Sequence, residues 1–398
     1  MGRLARGLAL AGLAASVAGC GALLRNPVPP ELTASATIPG MPEVRAWAGR
    51  PSEAMERDLA QSFIQESPTD FPADSEGIVH YPHLAVSGGG ANGAFGAGFL
   101  NGWSATGHRP VFKIVTGVST GALMAPFAFL GPEYDGALRE FYTTTSSRDI
   151  FALGSILLRL IQGESLADTG PLAALIARNV DADLLSKVAE AHAHGRRLYL
   201  GTVDLDAQQF VVWNMGLIAA SGRPDALELF RKVMLASASI PIAFPPVFFE
   251  VDVEGQRYDE LHVDGAVAAN VFLSGGVFRF ALVQRHEGRG TGRESVFVIH
   301  NGKLRPQPSP TPRSLRGIAT RSLDAATRAA VVGDLFRIYA FTVRDQASFQ
   351  WVTIGNDVEL EGAEVFDPTT MRELYDVGYR SARAGPKWEI RPPGMQAE

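Results

Sequence analysis

The hydrophobic residues of this chain fall into short blocks, and at two places the period changes from strand to helix across a cluster of glycines. His83–Ser87 is a compact apolar run that breaks into Gly88-Gly89-Gly90-Ala91-Asn92-Gly93, after which Ala94–Trp103 has helical composition. Val111–Thr116 is a second, β-type run. It enters Gly117-Val118-Ser119-Thr120-Gly121 and gives way to Ala122–Leu130, an Ala/Leu/Met/Phe stretch that reads as a buried helix. Glu260–Val263 and Ser295–Ile299 are further short strands. Ser52–Glu66 places an N-cap serine ahead of helix formers, and Asp324–Val343 and Pro368–Arg383 read as long helices. Asp149–Ile161 is strongly apolar and fits either a core helix or a groove for an acyl chain. Leu304–Arg313, dense in proline, reads as a connector.

The N-terminal block is of a different kind. Leu8–Gly19 is an apolar run behind Arg3 and Arg6, and it falls short of the roughly 20 residues that span a bilayer. It ends in Val17-Ala18-Gly19-Cys20, which resembles the lipobox of bacterial lipoproteins, where small residues precede a cysteine that receives lipid. Cys20 is also the only cysteine in the chain. A plain secretory signal with an incidental cysteine is the alternative. The expected organisation is a signal peptide over 1–19, a tether with a short helix over 20–79, and the main domain over 80–398 with its motifs in 80–275. Pro27, Pro29, Pro30, Pro39 and Pro42 keep the tether extended. Acyl chains on Cys20, at roughly 0.8 kcal/mol per buried CH₂, would anchor the protein to a bacterial envelope membrane. Gly21, rather than Asp, after the cysteine points to the outer membrane.

Composition then removes several classes of function. The chain has 398 residues, 46% apolar and 20% charged, enough for a sizeable core. A formal net charge of −6, with no Lys/Arg run longer than two, argues against nucleic acid as a partner. One cysteine forms no internal disulfide, and no C-x-x-C or H-x-x-x-H spacing is present to hold zinc, so no metal or cofactor is expected.

The two glycine clusters carry the chemistry. A strand, a glycine turn and a helix start aim backbone N–H groups and a helix dipole at one spot, which binds an anion. Gly88-x-Gly90-x-x-Gly93 matches the dinucleotide fingerprint, but the acidic ribose partner that fingerprint needs is missing, since no Asp or Glu occurs from Gly77 through Pro132. Gly117-x-Ser119-x-Gly121, between a strand and a helix, is instead a nucleophile elbow, a sharp turn that lifts a serine hydroxyl towards substrate. Ser119 needs a base. Asp264 with His286 or His300 follows the Ser–acid–His order of α/β-hydrolases, with His300 at a strand end the better placed of the two; ordinary structural histidines are the other reading.

With these blocks, Ala236–Pro246, whose prolines suggest a stiff loop supporting the Asp264 strand, and Val263-Asp264-Gly265-Ala266 complete an order and spacing that resembles the patatin-like phospholipase family. The resemblance implies a three-layer α/β/α hydrolase with a mostly parallel central sheet. It also implies a Ser119–Asp264 dyad, with the amides of Gly89, Gly90 and Ala91 as the oxyanion hole. Gly88, Asn92, Gly93, Gly117, Gly121, Gly265 and Ala266 would support these motifs. Asn92 departs from the basic residue usual in that place, which bears on preference for anionic headgroups. His262 would share a strand face with Asp264. The expected activity is hydrolysis of lipid acyl esters. An esterase or thioesterase for soluble acyl substrates, and a non-catalytic lipid-binding lipoprotein, are the alternatives.

Overall fold

The computed structural model describes residues 25–66, 68–150, 169–279, 292–306, 308–359 and 366–395. Its centre is a mixed sheet whose strands are β1 (Arg45–Trp47), β2 (His80–Val86), β3 (Ile114–Val118), β4 (Arg197–Asp204), β5 (Gln209–Asn214), β6 (Val247–Val253), β7 (Gln256–Asp264), β8 (Arg293–His300) and β9 (Ser348–Thr353). The order is β1-β5-β4-β3-β2-β8-β9, with the β6–β7 hairpin attached to β4. Pairing is parallel from β4 through β3, β2 and β8 to β9, and antiparallel at β5, β1 and the hairpin. The central strands are buried on both faces, as a parallel sheet between two helical layers requires, and so they read as continuous apolar runs. The three-layer α/β/α expectation holds.

The helices that matter for the site are α1 (Glu53–Gln65), α2 (Gly93–Ser104), α3 (Thr120–Leu130), α4 (Asp135–Thr144), α5 (Ser147–Ile150), α6 (Gly170–Asn179), α7 (Ala182–Ala193), α8 (Met215–Ala220), α9 (Ala226–Ser237), α10 (Leu315–Asp345) and α11 (Pro368–Arg383). Ser52 caps α1 by accepting the Met55 amide, as its position before the helix formers suggested. α10 starts nine residues earlier than its apolar pattern, because Ser314 caps it at Gly317 and the first turns are exposed. α11 lies against α2 at backbone contact distance: a Cβ at Gly98 or Gly102 would strike the main chain of Tyr375 or Tyr379. The apolar Asp149–Ile161 block enters α5 and from residue 151 lies outside the described residues, as do Cys20, the lipobox and His286.

The tether reading needs correction from Arg25 onward. β1 pairs with β5, and Val28, Ile38, Met41 and Val44 are buried in the main core. Arg25 bridges Asp206 and Asp259, and Thr37 exchanges backbone hydrogen bonds with Asp252. Pro29 and Pro30 open a 3₁₀ helix over Pro30–Ser35, and Pro39 and Pro42 stand in turns, so the prolines bend this segment back over the sheet and its apolar residues cover it.

Candidate active site

The two candidate catalytic side chains meet because of one strand. On a single edge of β4, Gly201 pairs with Val118, the last residue of β3, and the next residue, Thr202, pairs with Asp264, the last residue of β7. β3 therefore ends where β7 begins to take its place, and Ser119, leaving β3, turns beside the Asp264 carboxyl. β2 ends one strand over, with Val86 opposite Gly117, and delivers the Gly88–Gly93 turn to the same edge. Three sequence blocks thus converge at the carboxyl ends of parallel strands, where open α/β sheets place their ligands.

The elbow is strained and tightly cornered. Ser119 has φ 56° and ψ −126°, a conformation that costs a non-glycine residue about 1–3 kcal/mol. Gly117 and Gly121 are required because a Cβ on either would collide with backbone, that of Gly121 and Ala122 in one case and of Val86 and Ser87 in the other. The elbow is also pinned from α9: the Ser119 amide donates to Ser237 Oγ at 3.1 Å, and Ser237 Oγ donates to the Gly201 carbonyl at 2.6 Å. The block after α9 also supports the Asp264 strand, since Asp264 N donates to the Ser239 carbonyl at 2.9 Å. The hold of the Ser237 hydroxyl on the elbow has no signal in the local sequence.

Asp264 is 2% exposed. Burial pushes its carboxyl up to about 7, against the opposing pull of the Ser119 hydroxyl and the Ala266 amide. Oδ1 accepts that amide at 2.8 Å, whereas Oδ2, apart from the nearby Ser119 hydroxyl, has no hydrogen-bond partner among the described residues. The carboxyl thus keeps one oxygen uncommitted beside Ser119 and binds a proton in the neutral pH range. Gly265 lies so close to the Gly201 carbonyl that any side chain there would push the turn after β7 away from β4.

The glycine turn faces this pair. Gly90 has φ +57°, and a Cβ on it would meet nothing within 4 Å, so it borders open space. Within the turn, Asn92 N–H returns to Gly89 O and Gly93 N–H to Gly90 O and Ala91 O. The amides ahead of them are not used by the turn, as at any helix start. Asn92 is exposed and makes no capping bond, so it stands at the rim. Beneath the turn, Asn301 at the end of β8 ties three segments together. Its N–H donates to Ser87 Oγ, its Nδ2 to Ser87 O, and its Oδ1 accepts the Gly96 amide of α2, at 2.8, 3.0 and 3.0 Å.

A cleft of about 420 Å³, open to solvent, runs from Ser119 and Gly90 between Leu123, Phe141, Ile150, Leu172, Phe244 and Phe366. Among the described residues, no charged side chain lines it.

His300 does not join the site: its Nδ1 pairs with Thr353 Oγ1 at 2.9 Å, and burial lowers its pKa to about 4. His262 shares the face of Asp264 but bonds Thr202 Oγ1 at 2.9 Å and Glu260 Oε2 at 3.1 Å. Asp204, Glu260 and His262 place ligand-type atoms within 4.8 Å of one another. Both Nη atoms of Arg45, stacked between Trp47 and Trp213, already occupy Glu260, and both imidazole nitrogens are engaged. Arg45 thus pairs one of the two carboxylates, and with His262 it makes the cluster a hydrogen-bonded strut under β4 and β7.

Residues 84–275 match the family model described as patatin-like phospholipase. No curated protein sequence matches the chain. Among solved structures, the crystal structure of VipD from Legionella pneumophila is similar with a TM-score of 0.33 and 12% sequence identity, over 79% of this chain and 69% of that one.

Proposed function

We propose, from the premise that residues 84–275 are a patatin-like phospholipase domain, that this chain hydrolyses the carboxylic esters of lipids with Ser119 as nucleophile and Asp264 as its base. The observation that carries the proposal is the uncommitted Oδ2 of a buried carboxyl beside a serine on a strained elbow. A carboxylate of ordinary pKa is too weak a base for a hydroxyl, and one titrating near 7 is matched to neutral operation. Asp264 takes the proton as Ser119 Oγ attacks the ester carbonyl. The resulting oxyanion lies towards the amides of Gly89, Gly90 and Ala91 and the N-terminal end of α3, donors that need no rearrangement to receive it. Protonated Asp264 then gives the proton to the leaving alcohol. Water, deprotonated by the same carboxylate, attacks the acyl group, and Asp264 returns that proton to Ser119 Oγ as the fatty acid leaves.

The apolar cleft favours a lipid over a soluble acyl substrate, because an acyl chain buried there gains about 0.8 kcal/mol per CH₂. The Asn92 rim lacks the charge that would select anionic headgroups. Lipidation of Cys20 would put the enzyme on a membrane, five residues ahead of Arg25, which is bridged to Asp206 and Asp259. Incorporation of labelled palmitate into wild type and not into Cys20→Ala tests the anchor. For the chemistry, p-nitrophenyl esters of increasing chain length are offered to wild type, Ser119→Ala and Asp264→Asn. Activity that rises with chain length and is lost in both variants supports the proposal. A short-chain optimum favours the soluble esterase, and equal hydrolysis by all three proteins ends the enzymatic reading.

A further inference from the structure

The turn that supplies the oxyanion donors is held from outside the matched stretch. Gly88 N–H donates to the Asn270 carbonyl at 3.0 Å, and Asn270 N–H donates in turn to Asp334 Oδ2, on α10, at 2.7 Å. The Val271 amide reaches the same oxygen at 3.3 Å, and Asp334 Oδ1 accepts Arg337 Nη1 at 3.1 Å. Asp334 is 2% exposed. A buried carboxylate is costly unless it is paired, and bonds from amides to a charged acceptor are about twice as strong as neutral ones. This one spends its charge on the backbone of two residues in the segment that leaves Asp264 and passes beneath Gly88. The Asn270 side chain faces the same turn: a methyl on Gly88 would stand 3.1 Å from Ser119 Cβ and 3.2 Å from Asn270 Nδ2.

We propose that Asp334 is a positioning residue for ester hydrolysis: through Asn270 it fixes Gly88, and with it the amides that follow, against Ser119. The inference rests on the reading of Ser119 as nucleophile. Displacing a donor by about 1 Å costs up to about 100-fold in rate, and nothing in the clamp touches the acyl cleft.

The full chain is assayed with a p-nitrophenyl ester and with a trifluoromethyl ketone that forms a tetrahedral adduct. Asp334→Ala is expected to lower kcat roughly 10- to 100-fold with KM unchanged, and to weaken the ketone by the same factor as kcat/KM. Asp334→Asn keeps an acceptor oxygen for Asn270 and is expected to recover most of kcat. Should Asp334→Ala not fold, Asp334→Glu carries the charge one methylene too far and is expected to lower kcat with KM again unchanged. Wild-type kcat in Asp334→Ala and Asp334→Glu, or a lower kcat with undiminished ketone affinity, overturns the proposal. Hydrogen exchange of the 84–93 segment is measured alongside and should quicken in the variants. This readout needs no turnover, so a wild type that cleaves no ester sinks the functional reading, whereas unchanged exchange sinks the clamp.

Discussion

Replacing Asp264 by Asn should make the protein more stable and catalytically dead, and the gain should depend on pH in a fixed direction. Burial raises this carboxyl to about 7, whereas in the unfolded chain it titrates near its ordinary value of roughly 4. Between these limits the folded protein keeps a proton that the unfolded chain has released. Stability therefore falls as pH rises from about 4 to about 7 and levels off above. The full penalty for holding the charge is on the order of 4 kcal/mol at pH 9, and an isosteric amide removes it. Denaturant unfolding of wild type and Asp264→Asn from pH 4 to 9 isolates this contribution, since the other titrating groups cancel in the difference. The variant should match wild type near pH 4 and exceed it by about 2–4 kcal/mol at pH 9. A difference that stays flat with pH, or shrinks as pH rises, would refute the argument that burial tunes this carboxyl.

Three further outcomes follow from the same geometry. The logarithm of kcat/KM for wild type should climb with unit slope to a plateau near pH 7, because Asp264 works only when ionised. His300→Ala should keep kcat within about threefold of wild type while losing about 1 kcal/mol of stability, the worth of its bond to Thr353; a 100-fold loss of kcat would reinstate a triad. Gly98→Ala should cost about 1–3 kcal/mol by forcing α2 off the Tyr375 backbone of α11, with activity per folded molecule unchanged in an ester assay.

The parts of the site that are local in sequence were legible in it. Strand, glycine turn and helix at Gly88–Gly93 and at Gly117–Gly121 are written in adjacent residues, because the backbone there has no room for a Cβ. The extent of Pro368–Arg383 was legible for a similar reason, with proline at its start and a strongly one-sided apolar pattern. What the pattern could not express is pairing at long range. That Thr202 would carry Asp264 next to the elbow depends on a hairpin docking at the end of β3. Asp334 and Asn301 look like an unremarkable helix carboxylate and a loop amide until the fold sets them under the turn. The segment from Arg25 to Trp47 misled because prolines mark both extended tethers and the helix starts and turns that fold a chain back onto a sheet. Only its buried apolar positions separate the two.

The central claim is that Asp264 activates Ser119. It is tested most directly by treating wild type, Ser119→Ala and Asp264→Asn with a fluorophosphonate and following adduct formation by intact mass and peptide mapping. The account predicts one adduct, on Ser119, absent from Ser119→Ala and formed at least about 100-fold more slowly in Asp264→Asn. An adduct on a different serine, or wild-type labelling in Asp264→Asn, would contradict it.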